Sequence, residues 1–345
     1  MQLKEHLSKS LQLQPTPSPW PRMILSALSV SLPLIVGFNR GELRIAIFGS
    51  LFGFFMILND HFGPLGKRII HLITTYIFII SGYLIGMLLN EYSWLLIIAL
   101  FCMSYLVGKS TGLGLELERM LLFTTLQLLA ASQMPEIKAR YVLAFFYSTF
   151  SLFSYLVCLC LVYLIMKHQT NFQKSKRQEF REAITRKDSN RYALTLALMT
   201  CSGLWFAQYL HMERGYWVVG TILIVMMPDR YQSLYRSFQR ILGTLIGVVI
   251  ASLMMKLGKN PIILISFCAF AAFMTPYGQI KNYWVANVFI AALILFFLEI
   301  SNFKPHHGDF DLAILRLKDI GLGCFLGSLG TIIAFPELFK DMKRN

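Results

Sequence analysis

The chain has 345 residues, of which 56% are hydrophobic and only 14% are charged, and its mean hydropathy is +0.57. Average soluble domains contain about 25% charged residues, so this composition excludes a water-soluble globular protein and indicates an all-α polytopic membrane protein. The formal net charge is +14. The basic residues lie between hydrophobic runs, so topology and anionic membrane lipid explain them better than nucleic-acid binding does.

Twelve hydrophobic segments follow one another along the chain. They lie at 23–38, 45–59, 69–89, 92–108, 119–133, 141–166, 191–210, 215–228, 239–257, 260–275, 283–299 and 312–335. A membrane crossing needs about 20 apolar residues. The short segments can therefore be full spans, tilted spans or re-entrant pieces; these are 45–59, 119–133, 215–228 and 260–275.

A polar, basic linker at 167–190 divides the chain into a first membrane half, 23–166, and a second, 191–335. Each half has about six segments, which predicts about twelve transmembrane helices arranged as two parallel six-helix repeats. Each half also carries a Gly-x-x-x-Gly motif that allows close helix packing, Gly82-x-x-x-Gly86 and Gly243-x-x-x-Gly247. Charged residues precede both motifs in the same order but at different spacing, so the repeat is weak in sequence.

The distribution of lysine and arginine predicts the orientation of the chain. If the N-terminal segment 1–22, the linker and the tail 336–345 share one side, that side collects 22 Lys and Arg residues, and the opposite loops contain eight. Cytoplasmic loops are the richer in these residues. We therefore predict a multi-pass protein of the bacterial inner membrane with both termini in the cytoplasm.

The stretch 214–251 reads RGYWVVGTILIVMMPDRYQSLYRSFQRILGTLIGVVIA, which is two hydrophobic runs joined by a basic turn. Its order of a Tyr-Trp pair, a Pro-Asp pair, spaced arginines and Arg-Ile-Leu-Gly-Thr-x-x-Gly resembles the core signature of the fusaric acid resistance family, which includes the aromatic acid exporters. A looser match covers 283–335, where Arg316-x-x-Asp319 is followed by glycine. The first half is similar only in hydropathy.

The resemblance implies a secondary efflux transporter, driven by the proton-motive force, for aromatic or other organic anions. Some relatives work beside a periplasmic adaptor protein, which is therefore a candidate partner. Many relatives also have a large cytoplasmic domain, in place of which this chain has only the short linker.

The candidate substrate-binding residues are basic and aromatic. Arg236 and Arg240 lie one helical turn apart, and two guanidinium groups on one face form a trap for a carboxylate. Arg316 lies at the head of the last segment, where an ionisable side chain usually faces a bundle interior. Trp217 or Trp284 is a candidate for stacking on an aromatic solute. The alternatives are membrane anchoring for the arginines and an interfacial aromatic belt for the tryptophans.

Two carboxylates are candidates for proton coupling, Asp229 beside the basic turn and Asp319 in the last segment. Each can instead form a local pair with a neighbouring arginine. His71, Gln127 and Asn287 are polar residues within or at the edge of hydrophobic runs. They can line a path or form hydrogen bonds between helices, and His71 can titrate.

The sequence predicts no catalytic residue, metal site or cofactor. Residues 306–311 read HHGDFD, which suggests a metal site or an acyltransferase-like spacing, but no companion motif supports either. The cysteines form no C-x-x-C pair, and P-loop, Rossmann, HExxH and GxSxG motifs are absent from the sequence. We therefore expect no enzyme. Two alternatives to an exporter stay open: a passive organic-anion channel and a structural or assembly protein of the envelope. The glycine-rich faces make a homodimer a further expectation.

Overall fold

A computed structural model describes residues 11–60, 63–111, 113–133, 141–165, 189–212, 214–228, 230–258, 260–301 and 309–335. These residues form twelve α-helices and no β-strand, which confirms the all-α prediction. The helices are α1 (Trp20–Asn39), α2 (Leu43–Asn59), α3 (Leu65–Leu89), α4 (Ser93–Ser110), α5 (Leu115–Gln133), α6 (Tyr141–Ile165), α7 (Ser189–Tyr209), α8 (Tyr216–Val225), α9 (Arg230–Leu257), α10 (Pro261–Lys281), α11 (Tyr283–Ser301) and α12 (Asp309–Ala334).

Eight of the described helices are long and apolar enough to cross a membrane: α1, α3, α4, α6, α9, α10, α11 and α12. The protein is therefore a multi-pass membrane protein. Helices α2 and α8 are apolar but have only 17 and 10 residues. The predicted segment at 260–275 becomes the 21-residue helix α10, which Asn260 caps at its start and which continues through Pro276 to Lys281. Twelve predicted segments thus correspond to twelve helices, of which eight meet the requirements for a span.

The described helices belong to two compact units that do not follow the two sequence halves. Unit 1 covers Met1–Tyr76, Glu136–Asn171 and Gln239–Leu317. In this unit α1 packs against α2, α6 and α10, and α10 packs against α11. Two helices from the second half of the sequence therefore complete a core begun by the first half. Most of the linker 167–190 and the tail 336–345 lie outside the described residues.

Unit 2 covers Ile77–Pro135, Phe172–Phe238 and Lys318–Asn345. Helix α4 packs against α5 and α7, and α8 packs against α5 and α7. Its core is a hydrophobic cluster built around fully buried residues such as Leu100, Leu196 and Ile222. Here too, helices from both halves of the sequence share one core.

Glycines let some helices approach to backbone contact. In unit 1, Gly243 and Gly247 of α9 face backbone carbonyl oxygens of α11, and a Cβ atom on either glycine would collide with them. In unit 2, Gly82 and Gly86 of α3 face carbonyl oxygens of α5 in the same way. Both Gly-x-x-x-Gly motifs are therefore packing faces, as predicted.

Candidate functional site

Arg240 is a buried cation on α9, in unit 1. Only 4% of the residue is exposed. Its Nη1 donates to Oδ1 of Asn287 at 2.7 Å and lies 3.5 Å from the Tyr283 hydroxyl oxygen, both on α11. The close approach of α9 and α11 at Gly243 brings Asn287 within reach. Small residues on one helix therefore place a guanidinium against polar groups of its neighbour.

Asn287 is fixed by three hydrogen bonds. Its Oδ1 accepts from Arg240, and its Nδ2 donates to the Arg240 backbone carbonyl at 2.7 Å and to Thr244 Oγ1 at 3.0 Å. The sequence left open whether this residue lines a path or bonds between helices, and the structure shows the interhelical bonds. Asn287 consequently positions Arg240 in one orientation.

The polar partners of Arg240 are all neutral. Among the described residues no carboxylate forms an ion pair with it, and its Nε has no hydrogen-bond partner. A buried charge without a counter-charge is costly, by several kcal/mol. An organic carboxylate would supply the missing charge, and an arginine can hold it through two parallel hydrogen bonds.

Unit 1 also contains a cavity of about 470 Å³. Its lining includes Tyr283, whose hydroxyl contacts Arg240, together with Gln279 and Asn282 of the α10–α11 junction. The other wall comes from the N-terminal segment, including Gln12 and Pro15. Ligand pockets of proteins commonly measure about 300–1,000 Å³, so the size suits a small organic molecule.

The N-terminal segment is held at this cavity by hydrogen bonds to its backbone. Trp284 Nε1 donates to the carbonyl of Leu11 at 3.2 Å, and Lys281 Nζ donates to the carbonyl of Thr16 at 2.8 Å. Trp284, which the sequence offered as a stacking group for the solute, therefore anchors this segment.

The carboxyl end of α2 is a second polar centre in unit 1. The helix ends at Asn59, and the next residue, Asp60, is extended with a ψ of 137°, so the last carbonyls have no partners within the helix. Arg22 donates to the carbonyls of Ile57 and Asp60 at 3.1 and 2.8 Å, and a ring nitrogen of His71 lies 3.0 Å from the carbonyl of Asn59. Side chains thus replace the bonds that water would supply elsewhere.

Asp60 is an ion-paired carboxylate within this centre. Its side chain is fully buried, and it accepts from Arg68 Nε at 2.9 Å, from Arg68 Nη2, and from the Tyr155 hydroxyl at 2.6 Å. Asp60 and Arg68 are among the charged residues that precede Gly82-x-x-x-Gly86 in the sequence. Sequence reasoning missed the contact of Asp60 with Tyr155, which lies 95 residues away on α6.

The carboxyl end of α8, in unit 2, is capped in a similar way. The backbone becomes extended at Met226, where ψ is 124°. Tyr192 donates to the carbonyl of Met226 at 2.9 Å, and Ser233 donates to that of Val225 at 3.1 Å. Arg236 Nη1 reaches the carbonyl of Ile224 at 3.5 Å. Arg236, predicted to bind substrate, therefore contacts a helix end, where a cation is favourable.

The other predicted residues are distributed over both units. Arg316, in unit 1, is almost fully buried, with 2% exposed, and Asp319, in unit 2, is 4% exposed. Neither side chain reaches out to the surface as interfacial anchoring would require. Trp217, in unit 2, is half-buried and packs against the ring of Tyr216 at 5.3 Å. Asp229 and residues 302–308, with both histidines of the HHGDFD stretch, lie outside the described residues.

These features define a polytopic α-helical membrane protein with buried charges and side-chain-capped helix ends. Residues 197–330 match the model of the family described as fusaric acid resistance protein-like. This part of the chain is similar to the family, which confirms the resemblance noted at residues 214–251.

Three curated relatives illustrate the similarity. Inner membrane protein YccS of Escherichia coli (strain K12) is 26% identical over 160 residues, which are 45% of this chain and 21% of the relative. Uncharacterized membrane protein YvaC of Bacillus subtilis (strain 168) is 28% identical over 162 residues, 44% of this chain and 25% of the relative. Uncharacterized protein slr1298 of Synechocystis is 31% identical over 116 residues, 33% of this chain and 15% of the relative.

The matches cover only a quarter or less of the length of these relatives. No solved structure matches the chain significantly.

Proposed function

We propose that this protein is a secondary transporter that exports aromatic or other organic anions across the bacterial inner membrane, in a cycle coupled to protons. The observation that carries the proposal is the burial of Arg240 among neutral partners. In this proposal the carboxylate of the solute is the missing counter-ion, and it lies against the face of the guanidinium that Asn287 and Tyr283 leave open.

The surroundings of Arg240 favour a small organic anion over an inorganic one. The cavity at Tyr283 has a volume of about 470 Å³, within the range of pockets that bind small organic molecules, and Tyr283 is one of its lining residues. Arg316, which is also buried, is the second cation that we assign to the path, and Trp217 is the aromatic contact. We assign proton coupling to the buried Asp319 and to Asp229.

The location rests on the relatives and on charge. YccS is described as an inner membrane protein, and the excess of Lys and Arg on one side assigns both termini to the cytoplasm. In this arrangement the cavity between the N-terminal segment and the α10–α11 junction opens to the cytoplasm, from which an exporter collects its solute.

We further propose two parallel six-helix repeats. A homodimer and a periplasmic adaptor remain separate proposals.

The test is flux of a labelled aromatic carboxylate, benzoate, into liposomes that contain the purified protein, with and without an imposed pH gradient. We expect flux to depend on the gradient and to fall more than about tenfold in Arg240→Gln, because one charge-assisted hydrogen bond contributes about 1.5–3 kcal/mol. Arg40→Gln is the matched control, since the Arg40 side chain is 53% exposed. Wild-type flux in Arg240→Gln would refute the anion site.

Two other functions predict different results in the same experiment. A passive channel would give flux that depends on Arg240 but not on the pH gradient. A structural or assembly protein would give no flux of any organic acid in a panel. In that case deletion of linker residues 174–187 would produce a cellular phenotype, and Arg240→Gln would not.

A further inference from the structure

The two Gly-x-x-x-Gly motifs have the same register against their partner helices. In each motif the first glycine faces one carbonyl oxygen of the partner, and the second glycine faces the carbonyl oxygen four residues later. The pairs are Gly82 with Thr124, Gly86 with Leu128, Gly243 with Trp284, and Gly247 with Val288. Aligning them places Gln127, directly before Leu128, in the position of Asn287, directly before Val288.

The same alignment shows which residues around Gln127 differ from those around Asn287. Ile79 takes the position of Arg240, three residues before the first glycine, and Phe123 takes the position of Tyr283. Ile79 is fully buried and Phe123 is 7% exposed. The position in unit 2 therefore has no cation and no phenol where unit 1 has both.

Gln127 is buried as deeply as Asn287, but its amide lacks the hydrogen bonds that Asn287 makes. It is 1% exposed, and its Nε2 has no hydrogen-bond partner among the described residues. Asn287 makes three hydrogen bonds. Buried amide donors are nearly always paired, and one left unpaired destabilises the fold. An acceptor atom brought by a ligand would remove that penalty.

We infer that Gln127 forms a second solute-binding position, in unit 2, which takes an uncharged polar group through an acceptor oxygen. The Nε2 group donates to an ether, carbonyl or hydroxyl oxygen, and Ile79 and Phe123 supply apolar surroundings for the carbon atoms that carry it. A carboxylate is disfavoured there because Ile79 stands where unit 1 has the charge of Arg240. This inference rests on the proposed function, since it assumes that the protein binds an organic solute.

The first test needs no ligand. We compare the midpoints of thermal unfolding of Gln127→Met and Asn287→Met in purified protein. Gln127→Met replaces an unpaired amide by an apolar group of similar shape, so we expect an unchanged or raised midpoint. Asn287→Met breaks three hydrogen bonds and should lower it. A midpoint of Gln127→Met as low as that of Asn287→Met would show that Gln127 is a structural residue and overturn the inference.

The second test uses a pair of neutral probes that differ in one acceptor atom, 4-methoxytoluene and 4-ethyltoluene. Binding is followed by the ligand-induced shift of the unfolding midpoint. One neutral hydrogen bond contributes about 0.5–1.5 kcal/mol, so we expect the methoxy compound to bind the wild type about threefold to tenfold more tightly. Gln127→Met should lose this difference, whereas Gln127→Asn, which keeps the donor, should retain part of it.

Equal binding of the two neutral probes to the wild type, or a difference that survives in Gln127→Met, overturns the inference. The corresponding acids, 4-methoxybenzoate and 4-ethylbenzoate, report separately on the proposed function, because both should lose affinity in Arg240→Gln. If the acids show no dependence on Arg240 while the neutral pair still depends on Gln127, the proposed anion site fails and the position at Gln127 stands.

Discussion

Arg240 and Asn287 hold each other through both the side chain and the backbone. The guanidinium donates to the amide oxygen of Asn287, and the amide nitrogen donates back to the carbonyl of Arg240, each at 2.7 Å. The amide thus orients the cation without neutralising it. A carboxylate in place of the amide would do both, and this difference allows the role of the uncompensated charge to be tested.

We expect Asn287→Asp to fold at least as stably as the wild type but to lose affinity for organic anions by more than about tenfold, because a carboxylate within 3 Å of the guanidinium occupies the position of the counter-ion. The measurement is the unfolding midpoint together with benzoate flux. Asn287→Leu is the comparison: it removes the hydrogen bonds without adding charge and should lower stability by about 1–3 kcal/mol. Unchanged flux in Asn287→Asp would contradict an anion site at Arg240.

The ion pair at the end of α2 should contribute strongly to stability. Asp60→Asn leaves the Arg68 guanidinium, whose side chain is only 13% exposed, without its counter-charge. Removing one member of a buried pair costs about 3–5 kcal/mol. The check is chemical or thermal unfolding of the purified protein. Arg40→Gln breaks the exposed Arg40–Glu42 pair and should cost at most about 1 kcal/mol. Similar losses in the two variants would rule out a special role for the α2 end.

The approach of α9 to α11 should not tolerate a methyl group. Gly247→Ala would push a Cβ atom into the carbonyl of Val288, and overpacking of this kind costs about 1–3 kcal/mol. Gly321→Ala on α12 is the matched control, since an added Cβ meets no atom within 4 Å there. The control should be neutral or stabilising by up to about 1 kcal/mol, because alanine favours a helix. Gly247→Ala should therefore lower the unfolding midpoint, whereas Gly321→Ala should leave it unchanged or raise it.

Helix α2 should cross the membrane despite its length. Its 17 residues extend over about 26 Å, close to the thickness of the hydrocarbon core. Single cysteines at Arg40 and Lys67, which flank it and are exposed, should then react with a membrane-impermeant maleimide from opposite sides in a variant lacking the native cysteines. The positive-inside count assigns Lys67 to the cytoplasm. Labelling of both cysteines from the same side would show that α2 is re-entrant.

Most of the fold could be predicted from the sequence because lipid imposes a simple rule on hydrophobic runs. The segment predicted at 69–89 becomes Leu65–Leu89, and the one at 283–299 becomes Tyr283–Ser301. Hydropathy could not show which helices pack together, since that depends on small residues and side-chain shape. The mixing of the two sequence halves within each unit was therefore not predicted.

The candidate site could be predicted only where a charge stands out in an apolar setting. Arg240 was recognised by its place after the Pro-Asp turn, but its partner Asn287, 47 residues away, was known only as a polar residue of open role. Arg22 and Tyr155 gave no signal, because an arginine at a helix start and a tyrosine in an apolar run are both ordinary in membrane proteins. Contact with Asp60 is what distinguishes them.

The packing of α1 against α10 and of α4 against α7 has a consequence for biosynthesis. The ribosome delivers α1 more than 200 residues before α10, and α4 long before α7, so the faces of α1 and α4 that contact these later helices are uncovered when the first half leaves the translocon. Insertion must therefore precede assembly, and the early helices need lipid or a membrane chaperone as temporary neighbours. A chain interrupted within the linker should recover its native state only when both fragments are made in the same cell.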